Sequence, residues 1–150
     1  MAGNYSNTGS WVPQVNTVGL RNVGSYQVSG TPYMTGAVNF GGGGVDGELK
    51  FEFPYVTKRV VVYHAHSLTT TKAIRVTFAP TGSIANHPTS HHYVELVGSY
   101  SYFDAEVKCT EIYVHKANAA QSVGQVIVYA ELTNIPAQRM HELTGSGISD

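Results

Sequence analysis

Gln125-Val126-Ile127-Val128-Tyr129-Ala130-Glu131-Leu132 decides the fold class of this chain. Val126, Val128, Ala130 and Leu132 fall on one face of an extended strand, and Ile127 and Tyr129 on the other, because side chains along a strand alternate between faces. The same period recurs upstream. Ile74, Val76 and Phe78 oppose Arg75 and Thr77 within residues 73–79, and Phe103, Ala105 and Val107 oppose Tyr102, Asp104 and Glu106 within 100–107. Residues 111–115 turn Ile112 and Val114 inward, 58–64 form a β-branched run, and 92–97 and 48–53 are shorter strands, the last stopped by Pro54. Gly, Pro, Asn or Ser punctuate the gaps, and no stretch sustains a helical period. These segments predict an all-β chain, an antiparallel β-sandwich over residues 48–135, with jelly-roll and immunoglobulin-like topologies both open. Residues 136–150 are left as a tail, with a helical turn or two between Pro136 and Leu143 before Gly145.

Residues 1–47 differ in kind. They hold eleven of the 16 glycines but only two charged residues, Arg21 and Asp46. Apolar and aromatic anchors nevertheless recur, among them Trp11, Leu20, Tyr26, Tyr33 and Phe40, so the segment lacks the charge-rich, aromatic-poor signature of a solvated disordered tail. Pro13 and Pro32 block a helix. Two arrangements fit: an extended arm laid over another protein surface, or edge strands folded back on the chain's own domain. Gly41-Gly42-Gly43-Gly44 is a joint, because no Lys-Ser/Thr and helix follow it to make a phosphate loop.

Composition narrows the partners. Charged residues make up 13% of the 150, about half the usual share, and the net charge is −1. No global field attracts nucleic acid or an anionic membrane. Residues 1–11 have neither a basic n-region nor an apolar h-region, so no signal peptide is expected, and no apolar run is long enough to span a bilayer. So few charges suggest a surface that meets other protein.

Signals for chemistry are weak. His64-Ala65-His66 puts two imidazoles on one strand face, a spacing that can hold zinc or nickel, but no carboxylate follows at metal-site spacing. Solvent-exposed or interface histidines are the simpler reading, also for His87, His91 and His92, and no cofactor is expected. Gly145-Ser146-Gly147 follows no strand and makes a poor nucleophile elbow. Cys109 has no CxxC partner and reads as a small buried hydrophobe. Asp104 and Glu106 are neighbours on an outward face, where solvated charge explains them. The ten tyrosines say more. Tyr93, Tyr100, Tyr102, Tyr113 and Tyr129 fall on strands, several expected outward, and outward Tyr suits subunit packing or sugar stacking.

The string from Trp11 to Gly30, with Phe53-Pro54-Tyr55-Val56-Thr57-Lys58, Val107 to Val114, Ala130 to Pro136 and Met140 to Ile148, resembles the small virion structural proteins of marine tailed phages. The resemblance covers most of the chain and carries no catalytic signature. It implies a non-enzymatic particle component, folded in the host cytoplasm and present in many copies. The resulting expectation is a protein that decorates or cements the capsid, with the major capsid protein or other virion proteins as partners and a symmetric homo-oligomer such as a trimer as its form. Expected contacts are Trp11, Leu20, Tyr26, Tyr33 and Phe40 on the arm and Tyr102 and Tyr113 on the domain. The alternatives are a tail-tube, tail-fibre or neck component, and a carbohydrate-binding module that stacks sugars on Tyr93, Tyr102 and Tyr113.

Overall fold

A computed structural model of the chain describes residues 19–20, 23–24, 30–40, 48–65, 73–78, 93–98, 100–117 and 125–141. The strands are β1 (Thr31–Met34), β2 (Val38–Asn39), β3 (Glu48–Glu52), β4 (Tyr55–Ala65), β5 (Ala73–Thr77), β6 (Val94–Val97), β7 (Tyr102–Ala105), β8 (Glu111–Lys116) and β9 (Gln125–Pro136). A single 3-10 turn, Ala137–Arg139, follows β9 where the sequence suggested a longer helical stretch. No helix among the described residues is long and apolar enough to cross a membrane.

The strands form two antiparallel sheets. One runs β1-β9-β4-β7, with β2 also on β9, and the other runs β3-β8-β5-β6. β1 and β2 act as one interrupted strand along β9. Thr31 to Met34 pair with Leu132 to Tyr129, and Val38 and Asn39 with Val126 and Gln125, one residue out of step. Thr35 fills the interruption: its N–H donates to the Val128 carbonyl, and its Oγ1 accepts from the Val128 N–H, both at 2.9 Å. Counted this way, the pairs β1/β2 with β9, β3 with β8, β4 with β7, and β5 with β6 are nested like a folded hairpin. The pairs β9–β4 and β8–β5 then close the roll. This order is that of a jelly roll, which resolves the choice of topology that alternation alone had left open.

One core lies between the sheets. Val126, Val128, Ala130 and Leu132 of β9 and Val60 and Val62 of β4 meet Ile112 and Val114 of β8, Ile74 and Val76 of β5, Leu96, Phe51 and Phe53. Alternation therefore reads the inward rows of β9 and β5 correctly, although Thr77, on the other face of β5, is buried too. Two points differ from the outward faces expected of β8. Tyr113 and His115 are buried as well. Each sits on a central strand with a neighbour on both sides: Lys50 and Thr77 flank Tyr113, and Glu48 and Arg75 flank His115.

Residues 31–40 were expected within the arm, but they form the edge of the first sheet, as in the folded-back alternative. Gly30 introduces this edge so close to β9 that a Cβ there would sit 2.9 Å from the Glu131 Cβ. Phe40 is fully buried in the core, and Tyr33 packs edge-on against Phe53 at 5.0 Å between ring centroids. Phe40 is thus unavailable to another molecule as an anchor, whereas Tyr33 is half-buried.

Candidate interaction surface

Six of the nine exposed large hydrophobic side chains of the described residues lie on or beside β6 and β7; Val23, Met34 and Tyr55 are exposed elsewhere. Tyr63, Tyr93, Val94, Val97, Tyr100 and Tyr102 all belong to β6, β7, their connection or the adjoining part of β4. β6 and β7 are the edges of their respective sheets, and they lie against one another.

Local sequence produces this edge. Tyr63 and Tyr102 face each other across β4 and β7, 44% and 61% exposed, with ring centroids 5.9 Å apart and planes inclined by 36°. Before β7 the chain turns sharply through Gly98, at φ 82°, and Tyr100, at φ 64°. Tyr100 donates its N–H to the His64 carbonyl at 3.1 Å, and His64 donates its own to the Ser101 carbonyl at 2.9 Å. Two residues thus oppose one, in a bulge whose first residue takes the left-handed conformation ordinarily given to glycine. A bulky side chain there is an outlier, and it holds the Tyr100 ring 72% exposed. His64 buttresses the turn from beneath. Its Nδ1 lies 2.9 Å from the Gly98 carbonyl, which also accepts from Ser101 Oγ at 3.0 Å. That geometry requires the imidazole proton on Nδ1.

The carboxylates on β6 and β7, Glu95 and Asp104, are each paired with an arginine of the neighbouring strand. Arg59 grips Asp104 with two bonds, Nε to Oδ1 at 2.8 Å and Nη2 to Oδ2 at 2.7 Å, and reaches Glu131 at 3.6 Å. The guanidinium hydrogen bonds hold the Asp104 carboxyl below its ordinary range. Arg75 donates to Glu95 at 2.8 Å while its guanidinium lies 4.3 Å from the Tyr93 ring centroid, a cation–π contact. On the second sheet Lys50 bridges Glu52 and Glu111 at 2.6 and 2.8 Å. Burial opposes the Glu111 charge, but bonds from Lys50 and from the Tyr113 hydroxyl outweigh it and hold the carboxyl below its usual range. Burial and donation to Glu111 push the Tyr113 phenol up.

The residues expected to make contacts are therefore divided. Tyr102 is exposed as expected. Tyr113 is not: it is buried and occupied by Glu111 and Lys50. Leu20 is half-buried, and its carbonyl accepts from Lys108 Nζ at 3.3 Å. Trp11, Tyr26 and His66 lie outside the described residues, as do His87, His91, His92 and Gly145-Ser146-Gly147. His64 is buried at the inner end of the Val60-Val62 row, neither exposed nor at an interface, and no group of three or more metal-ligating side chains occurs among the described residues.

Cys109 is buried, and burial pushes its thiol up to about 11. Thr57 Oγ1 donates to the Val107 carbonyl at 2.7 Å and accepts from the Cys109 N–H at 3.0 Å. The thiol, 3.2 Å from the same oxygen, is therefore the donor in that contact. Sequence reasoning passed over Tyr63 and did not single out Val97: Tyr63 lies in the β-branched run 58–64, and nothing in that run marks β7 as the edge beside it.

No protein-family model, curated protein or solved structure matches the chain.

Proposed function

We propose that the chain is a non-enzymatic structural component of a phage virion, present in many copies, which decorates or cements the capsid. The observation that carries this reading is the Tyr-rich pair of edges β6 and β7, on which Asp104 and Glu95 are already neutralised by Arg59 and Arg75. Such a surface favours contact with protein, because Tyr supplies large contact area at small entropic cost. The resemblance of the sequence to small virion proteins agrees with it, and the jelly roll is a fold used by capsid and lectin domains, an analogy of fold alone. The deep, protonated thiol of Cys109 argues against that residue as a nucleophile. Burial across joints between capsid subunits, at about 25 cal/mol per Å², would oppose particle opening when repeated over many copies.

Labelled protein added to purified particles and located by electron microscopy tests the proposal. The full chain is expected on the capsid shell, and a variant lacking residues 1–29, which spares the β1 edge, is expected to bind more weakly. Equal binding by both removes the N-terminal segment from the mechanism; labelling of the tail favours the tube, fibre or neck reading instead.

The paired rings of Tyr63 and Tyr102 also favour a second reading, a sugar-stacking surface. Glycan-array binding that disappears in Tyr63→Ala and Tyr102→Ala, but survives a change at Tyr93, would support it. Tyr113 has no place in such a platform because it is buried.

A further inference from the structure

We propose that β7 is the contact strand of a two-fold dimer, in which Tyr102–Ala105 of one copy adds antiparallel to the same strand of a second copy with Phe103 on the axis. This rests on the reading that copies of the chain assemble with one another, and it names the surface and the symmetry.

The backbone fixes the geometry. The bonds between His64 and Tyr100-Ser101 set the phase of the β4–β7 ladder. Hydrogen-bonded and non-bonded pairs alternate along antiparallel strands, so Val62 with Phe103 and Val60 with Ala105 are the bonded pairs. The N–H and C=O groups of Tyr102 and Asp104 consequently point away from β4, toward the open edge. Around an axis through Phe103, Tyr102 lies opposite Asp104 of the second copy, and the open groups of both strands satisfy each other in four hydrogen bonds. A shift of one residue sets open groups against groups already bonded to β4. A shift of the axis to Asp104 opposes two carboxylates. A shift to Tyr102 runs the pairing into the bulge at Tyr100. One register is left, and it is self-complementary, as a two-fold contact requires.

Natural proteins blunt edge strands by shortness, bulges and charge. β7 has only four residues, a bulge and Asp104. Here the carboxylate is held by Arg59, and the bulge falls just before the pairing window and limits its length without closing it. The ring of Tyr102 on the strand itself, and Val94 and Val97 on the neighbouring β6 edge, are exposed, so apolar surface accompanies the open edge. A second copy suits this edge better than a charged partner, because the neighbouring guanidinium and carboxylate groups have found each other.

Cysteine cross-linking of the full chain tests the register. Residues facing each other in a non-bonded antiparallel pair have Cα atoms about 4.5 Å apart, within the roughly 4.4–6.8 Å that a disulfide spans. Oxidised Phe103→Cys is expected to run as a covalent dimer on a non-reducing gel. Met34→Cys, exposed on the opposite edge of the same sheet, and the wild type, whose one thiol is buried, are expected to stay uncrosslinked. No more dimer from Phe103→Cys than from Met34→Cys overturns the proposal.

Sedimentation supplies a second readout that does not alter Phe103. Tyr102→Glu sets like charges opposite Asp104 at both symmetric positions and should raise the dimer Kd at least tenfold, with Tyr102→Lys doing much less harm. Equal effects of the two, or a wild type that is monomeric at every concentration, overturn it. Particle binding is scored apart: if it fails while Phe103→Cys still cross-links, the virion reading falls and the dimer stands.

Discussion

Replacing Phe40 with Ala separates the two roles open to the segment that carries it. As an arm anchor, Phe40 would contribute to binding and nothing to the stability of the isolated chain. In the structure it is fully buried among core residues of both sheets, directly after the short β2 pairing with β9. Truncating a buried phenyl ring costs about 3–5 kcal/mol through lost transfer energy and the cavity left behind. That is a large part of the roughly 5–15 kcal/mol that holds a domain folded. At about 2–4 °C per kcal/mol for a chain of this size, the melting temperature should fall by roughly 6–20 °C. Circular dichroism during heating and during guanidinium unfolding, at one fixed protein concentration, measures the change. Met34→Ala is the matched control: it lies on the same edge but is 70% exposed, and should shift stability by no more than about 0.5 kcal/mol. A Phe40→Ala protein as stable as that control would refute the placement of residues 30–40 in the sheet.

Three further changes probe other parts of the molecule. Thr57→Val leaves the buried Cys109 N–H without its acceptor and should destabilise by about 1–3 kcal/mol in urea unfolding, with Thr57→Ser largely restoring it. The Cys109 thiol is raised by burial from 9.0 to about 11, so its neutral form favours the native state. That contribution is intact below pH 9 and is lost as pH rises through 11, a loss of roughly 2–3 kcal/mol. Unfolding midpoints at pH 8 and 11 should therefore fall further for the wild type than for Cys109→Ala. Tyr100→Gly relieves the left-handed backbone that Tyr100→Ala retains, and should be the more stable of that pair by about 1 kcal/mol, read by thermal unfolding.

Much of the fold is legible in the residues because a strand with one buried face states its period. Val126 to Leu132 and Ile74 to Phe78 do so, and their inward rows are the core rows. The period fails on β8, where both faces are covered and Tyr113 and His115 are as hidden as Ile112 and Val114. A residue on a central strand is flanked from both sides, and on one flank Lys50 lies over the Tyr113 ring, 5.8 Å from its centroid. Phe40 is misread for a different reason. Its neighbours in sequence are glycines, whereas β2, which leads into it, pairs with residues 125–126, more than 80 positions away. Glycine-rich composition describes the linker to β3 and says nothing about the ring that precedes it.

The location of the exposed surface was hidden by the same logic at a larger scale. Tyr102 reads as an outward residue on a strand, and outwardness alone does not distinguish the middle of a sheet from its edge. Nesting does. When β4 pairs with β7 and β5 with β6 inside the outer pairs, β6 and β7 are wound last and become edges side by side. The four tyrosines and two valines exposed on and beside them then cluster along these two edges. The scarcity of charge takes on a local meaning too. The arginines nearest this edge, Arg59 and Arg75, are each bound to a carboxylate on the same sheet, so few ionic groups remain to keep the edge wet. An edge that offers open backbone groups, and whose one charged side chain, Asp104, is held by Arg59, presents less of the charge that ordinarily repels a second strand, and that is why the register through Phe103 is the place to look for the next copy.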